Sequence, residues 1–287
     1  MKNHPDNFRI KAQAGFSLVE IMVGMVIALL GVIIIFQVFS VSEGIKRTTT
    51  SGGDALQNGA SALFSLGRSL KMAGYGIFPS TYAAPYLADP ASTAPLTITP
   101  GAANGSDTIL LKYRQGWDLG PFSPPVGAGF ATPPALTFET INVQITGNLT
   151  QLVSSTIPDP APAYATVAGA AAATNVISDG IVLMKAEYGT DTTVPLNGIV
   201  DTWSQTAPAN VLSVLAVRIV LVARSAQPEK PSVAGGACDT TTVFPTWTDS
   251  ATIPLDLSAN AGLAAGDSWK CYRYKTFENT VPLRNEM

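Results

Sequence analysis

The feature that most constrains this chain is a stretch without charge. From Ile21 to Val41 the sequence reads IMVGMVIALLGVIIIFQVFSV, with only Gln37 and Ser40 polar. As a helix rising about 1.5 Å per residue, such a run can cross a hydrocarbon core about 30 Å thick. The residues before it carry Lys2, Arg9 and Lys11 against one acid, Asp6. That positive flank is predicted to stay in the cytoplasm, which puts everything beyond Val41 on the exported side.

No small-x-small cleavage site of the secretory kind follows the run. A Gly-Phe junction precedes it instead, in Gly15-Phe16-Ser17-Leu18-Val19-Glu20. A cut after Gly15 would remove a basic leader, residues 1–15, and leave the apolar helix on the mature chain. Glu20 would then be the fifth residue. A carboxylate at the edge of an apolar helix is costly unless it is paired or reaches the interface. The new α-amine of Phe16, on this chain or a neighbour, has the right sign and depth to pair with it. An uncleaved signal anchor, with Glu20 reaching the interface, is the other reading of the same residues.

GFSLVE followed by a charge-free run of this length resembles the type IV pilins and pseudopilins. The resemblance implies a class III signal: a prepilin peptidase cuts between Gly15 and Phe16 and methylates the Phe16 amine. It implies that Glu20 pairs with the N-terminus of an adjacent subunit as a filament grows. It also implies a localisation. The chain first spans the inner membrane once, with its N-terminus cytoplasmic and its head periplasmic, and later stands in a pilus on the cell surface. Many major pilins have a helix-kinking Pro at the position Gln37 occupies, and this chain has none.

Beyond Val41 the helix is predicted to continue. Glu43, Lys46 and Arg47 mark its exit from the membrane. Leu56, Ala60, Leu63, Leu70 and Ala73, with Phe64 and Leu66 beside them, form an amphipathic stripe. The weak helix formers from Thr48 to Gly53 predict a bend, a local melt or a break. Gly74, Gly76 and Pro79 end the helix. Three segments follow from this: a leader at 1–15, a helix at 16–73 with 16–41 in the membrane or filament core, and an extracytoplasmic head at 74–287.

With 46% hydrophobic and only 13% charged residues, the head reads as an exported, loop-rich β protein. Leu96–Thr99, Thr108–Arg114 and Ile181–Tyr188 read as strands, the last closed by Gly189. Leu136–Thr146 alternates as an exposed or edge strand would. Residues 116–134 and 155–176 read as loop or irregular insertion. Val211–Arg224 reads as a central strand, with Arg218, Val220, Val222 and Arg224 on one face and Val217, Ile219 and Leu221 on the other. Lys270–Leu283 is predicted to be a terminal strand or hairpin. The fold class is therefore α+β: one long N-terminal helix, half of it transmembrane, packed on an antiparallel β-rich head.

The phrase LGRSLKMAGYG after the helix is similar to that of the PilW-type minor pilins. So is the order DGIVLMKAEYG, NGIVDTW, VLAVRIVLVARS and YRYKTFENTVPLRN in the second half. This resemblance implies a minor pilin in type IV pilus assembly, in a low-copy priming or tip complex. Its partners would be other minor and major pilins, the prepilin peptidase, the inner membrane before assembly, and a tip adhesin. Two alternatives stand beside it: a type II secretion pseudopilin of the J type, and an adhesin or DNA-uptake subunit with a ligand-binding head.

The formal charge is −3, and losing a leader with three bases and one acid makes it −5. Such a chain has no general attraction for nucleic acid, and none is expected as a partner. The alternation Tyr272-Arg273-Tyr274-Lys275 offers a basic-aromatic platform, but a strand with two different faces accounts for it. The one histidine, His4, lies in the leader, and no phosphate loop or dinucleotide fingerprint is present, so neither an enzyme nor a cofactor is expected. The stretch from Gly189 to Asp201 has oxygen ligands around a Gly, as calcium loops do. Only Asp191 and Asp201 are acids, however, so an uncharged turn without metal is the expectation. Cys238 and Cys271, an even pair in an oxidising compartment, are expected to form a disulfide, with two separate buried thiols as the alternative.

Overall fold

A computed structural model describes residues 15, 17–75, 77, 94–114, 136–158, 173–233, 235–250, 252–259, 262–263 and 266–283. The chain divides into two compact units, Met1–Thr49 and Thr50–Met287. One helix, α1 (Leu18–Met72), supplies the first unit and the opening of the second.

The backbone carbonyl of Ser17 starts α1, accepting from the amides of Glu20 and Ile21. It is the one helix among the described residues long and apolar enough to cross a membrane. In the first unit its large apolar side chains from Leu18 to Val41 are all between 46% and 73% exposed. Such a surface needs lipid or other helices around it.

The helix persists through residues 48–53, where the sequence suggests a break. The Thr48 and Thr49 hydroxyls donate to the carbonyls of Gly44 and Ile45, at 3.1 and 2.9 Å. Side chains that could compete with the helix are bonded along it instead. Gly74, at φ +75°, ends α1, and its amide donates to the Lys112 carbonyl.

The second unit adds two antiparallel sheets. β1 (Leu96–Thr99), β2 (Thr108–Arg114), β3 (Leu136–Thr146), β4 (Leu149–Pro158) and β5 (Ala173–Asp179) form a five-stranded sheet in chain order. β6 (Ile181–Thr190), β7 (Thr202–Ser204), β8 (Val214–Arg224) and β9 (Tyr274–Pro282) form a second sheet in the order β7-β6-β8-β9. Gly180, at φ +75°, turns the chain from one sheet to the other. Its amide donates to Thr150 of the first sheet and its carbonyl accepts from Arg224 of the second.

Leu136–Thr146, expected at an edge, is the central strand of its sheet. Its buried face is Thr137, Glu139 and Ile141, and a Glu on that face disguised it. The strands β4 and β5 take up both ends of the stretch expected to be irregular, and residues 159–172 lie outside the described residues. The expected loop at 116–134 also lies outside them. Gly189 does not close β6 but lies within it, because Trp203 fills the space a side chain would need.

One hydrophobic core joins helix and sheets. Ala55, Ala62, Leu66, Leu70 and Ala73 of the helix region meet Ile109, Leu111 and Ile141 of the first sheet and Val217, Ile219 and Leu221 of β8. Leu56 and Phe64, expected in the buried stripe, are 49% and 75% exposed. The helix turns its small residues inward instead. Gly59 and Gly67 let β9 approach closely, the first against Phe277 and the second against Asn279 and Val281. On the other face of the second sheet, Leu183, Val220 and Val222 pack under Trp247, Leu255 and Leu257. β8 is thus covered on both sides, as its continuous apolar run predicts.

Candidate functional site

Gly15, an expected processing residue, is exposed and has open space where a side chain would stand. Phe16, the other expected processing residue, lies outside the described residues. Glu20 is exposed in the first turn of α1, where the positive end of the helix dipole favours an acid. Gly15 therefore lies just ahead of an apolar helix, and Glu20 lies in its first turn.

Three buried acids of the head, Glu139, Asp107 and Glu187, make internal bonds. Glu139 accepts from Ser69 of the helix, Tyr113 of β2 and Ser154 of β4, at 3.1, 3.0 and 2.7 Å. Asp107 forms a buried ion pair with Lys185 at 3.2 Å. Its two oxygens also accept from the amides of Gly101 and Ala186 and from the Gln205 side chain. Glu187 pairs across the strands with Arg218 at 2.6 Å, and Trp203 and Trp247 lie over that guanidinium. A buried charge is tolerated when its lone pairs are filled in this way. Nothing in the sequence spacing marks these pairs, because cross-strand register brings them together.

The basic-aromatic stretch is also used internally. Tyr272 is buried beneath Arg224, 4.5 Å from ring centroid to guanidinium carbon. Arg273 pairs with Glu229, which raises its pKa further. Tyr274 donates to the Trp269 carbonyl, and burial pushes its phenol well above the usual range.

Cys238 and Cys271 are joined in a disulfide, with Cα atoms 4.8 Å apart. It fastens the long connection after β8 to the short helical turn Trp269–Cys271 that leads into β9. Backbone bonds run beside it, from Glu229 to Cys271 and from Thr241 to Lys270.

The Gly189–Asp201 stretch folds around its own acids. Asp191 Oδ1 accepts from the amide and hydroxyl of Thr193, at 3.0 and 2.6 Å. Its Oδ2 accepts from the amides of Asn197 and Gly198, at 2.6 and 2.7 Å. Those donors, the Thr193 hydroxyl foremost, lower the Asp191 pKa to about 2. Asp201 accepts from the amide and hydroxyl of Thr192. Gly198 takes φ +78°, where a side chain would be strained. Among the described residues no group of three or more metal-ligating side chains comes together.

Comparison with known families decides the identity. Residues 145–285 match the family model of the Type IV Pilus-assembly protein W, and residues 10–36 match that of the prokaryotic N-terminal methylation motif. The chain belongs to the PilW family of type IV pilus minor pilins. The methylation motif brackets Gly15, Phe16 and Glu20, and the PilW match runs from the end of β3 past β9. A type IV-like pilin from Thermus thermophilus, TTHA1219, is similar over 82% of this chain and 96% of its own, at 15% identity and a TM-score of 0.41. No curated protein matches the chain. As a PilW-family minor pilin, the chain has a structural role in pilus assembly.

Proposed function

We propose that this PilW-family chain is a low-copy subunit that primes or caps a type IV pilus together with other minor pilins. Prepilin peptidase removes residues 1–15 and methylates Phe16. The helix then leaves the inner membrane for the filament core, drawn by apolar packing and by a pair between Glu20 and a neighbour's terminal amine. The head, residues 74–287, works by contact and not by catalysis. It faces other minor pilins, the first major pilins and a tip adhesin.

The observation that carries this reading is the exposed apolar surface of Leu18–Val41, most of it inside the match to the N-terminal methylation motif. That surface stabilises the chain only among lipids or other helices. A large head on such a helix is easier to seat at a filament end than in a close-packed shaft.

Deleting the gene is the test. The number of pili per cell should fall while the structure of the remaining shafts is unchanged. Glu20→Ala should still be processed and membrane-held, but enter sheared filaments poorly. Unchanged pilus number on deletion, with a fall in protein secretion instead, would favour a pseudopilus.

A further inference from the structure

The loop between β6 and β7 carries apolar side chains where the core cannot use them. Val194 is 97% exposed, Leu196 45% and Ile199 62%. Single exposed apolar residues are ordinary, but these three stand within six residues on one short loop.

The loop is held from beneath. Asp191 gathers Thr193, Asn197 and Gly198, Asp201 gathers Thr192, and the Asn197 side chain takes the amide of Ile199 at 2.8 Å. Both ends are tied down, the Asp191 amide to the Ser213 carbonyl just before β8 and the Asp201 amide to the Thr190 carbonyl of β6. Its shape is thus set before any partner arrives, and little ordering entropy is left to lose on binding. Asp191 does here what a metal ion would do in an acidic loop, which frees the tip to be apolar.

We propose that the Val194–Ile199 tip is a docking knob, which seats in an apolar cleft on the head of a different pilin subunit of the same assembly. The inference rests on the minor-pilin reading and goes beyond it by naming the surface. Charge decides the occupant. From Gly189 to Asn210 there is no Lys or Arg, while Asp201 is exposed at the edge of the tip. Anionic bilayers and nucleic acids are recognised by clustered bases, and this loop has none. A two-fold contact between copies of this chain would set Asp201 against Asp201. An apolar cleft with Lys or Arg at its rim, on another subunit, complements both the apolar tip and the acid beside it. A few preorganised apolar anchors in a pocket supply most of the energy of such an interface.

The test uses the full-length chain in its own cells, with a photo-crosslinking amino acid in place of Val194. Irradiation should yield an adduct with a different protein bearing a class III signal, identified by mass spectrometry. An adduct with lipid, nucleic acid or a second copy of this chain, or none at all, overturns the proposal. The variant Val194→Asp/Ile199→Asp should lower pilus number by about tenfold, the size expected when anchors of an interface are removed. Val194→Ala/Ile199→Ala shortens the same tip without adding charge, so it gives a result even where the acidic pair lowers the level of mature chain. Wild-type pilus number with the alanine pair at normal mature level overturns the knob. If gene deletion itself leaves pilus number unchanged, the minor-pilin reading falls. If deletion abolishes pili and the tip variants do not, only the knob falls.

Discussion

Gly59 of the helix lies against the ring of Phe277 on β9, so closely that a Cβ at Gly59 would stand 2.0 Å from Phe277 Cε2. Eight residues on, Gly67 faces Asn279, and a Cβ there would meet its side chain at 3.4 Å. The two glycines occupy one helix and face one strand, yet only the first has no room for a methyl group.

Alanine at these two positions should therefore have opposite effects. The helix gains about 1 kcal/mol from Gly→Ala by propensity. At Gly67 that gain should be kept, and Gly67→Ala should be neutral or slightly stabilising. At Gly59 the Phe277 ring must be displaced, and overpacking of this kind costs about 1–3 kcal/mol. Gly59→Ala should lower the melting temperature of the detergent-solubilised chain, and Gly67→Ala should not. Equal effects would argue against the close approach of helix and β9.

The Asp191 loop should be sensitive to acid. Its carboxylate has a folded pKa of about 2 against an ordinary value of 3.8. A depressed acid contributes stability that is fully present above its unfolded pKa and is lost as pH falls through the folded one. Hydrogen exchange at the Asn197 and Gly198 amides should stay protected above about pH 4 and lose protection progressively toward pH 2. Asp191→Asn should remove that dependence and loosen the loop at neutral pH.

The Lys185–Asp107 pair should be intolerant of single deletions. Asp107→Ala leaves the buried Lys185 ammonium with the Ala102 carbonyl but no counter-charge, and the amides of Gly101 and Ala186 without their acceptor. Removing one partner of such a pair costs about 3–5 kcal/mol. Lys185→Met should be milder than Asp107→Ala, because the carboxylate keeps its three other donors. Thermal melts of the two variants check the order.

The disulfide closes a span of 33 residues. Restricting the unfolded chain over that length contributes roughly 3–4 kcal/mol. Cys238→Ser/Cys271→Ser should lower stability by about that much and expose the connection after β8 to protease. Mass mapping without reductant should find one linked peptide pair in protein isolated from its own cells.

The elements legible in the sequence are those whose pattern is local. The charge-free run declared the helix, Gly74 declared its end, and the apolar run of Val211–Arg224 declared a central strand, although its first three residues form a 3-10 turn ahead of β8. The elements that were not legible depend on partners distant in sequence. β3 looked like an edge because Glu139 faces inward, and only the folded chain supplies Ser69, Tyr113 and Ser154 to receive it. β4 follows a two-residue turn at Gly147 and Asn148, with Gly147 at φ +60°, a hairpin signal that Ser and Thr in the strand obscured. The helix stripe is legible at Leu63, Leu66, Leu70 and Ala73 but not at Leu56 and Phe64, which outrank Gly59 and Ala62 in hydrophobicity while close approach to β9 demands the small residues. At the proposed processing segment, Gly15, Phe16 and Glu20 are readable as a linear motif, one that lies inside the match to the N-terminal methylation model. The knob at Val194–Ile199 was not, since its apolar residues become informative only when the folded head leaves them outside.

The central claim is that this chain is cut after Gly15 and enters the filament as a rare subunit. The most direct measurement is absolute mass-spectrometric quantification, in sheared pili, of the peptide that begins at methylated Phe16. The account predicts that this peptide is present, and at a small fraction of the amount of the corresponding major-subunit peptide. An N-terminus other than Phe16, or an amount approaching that of the major subunit, would contradict it.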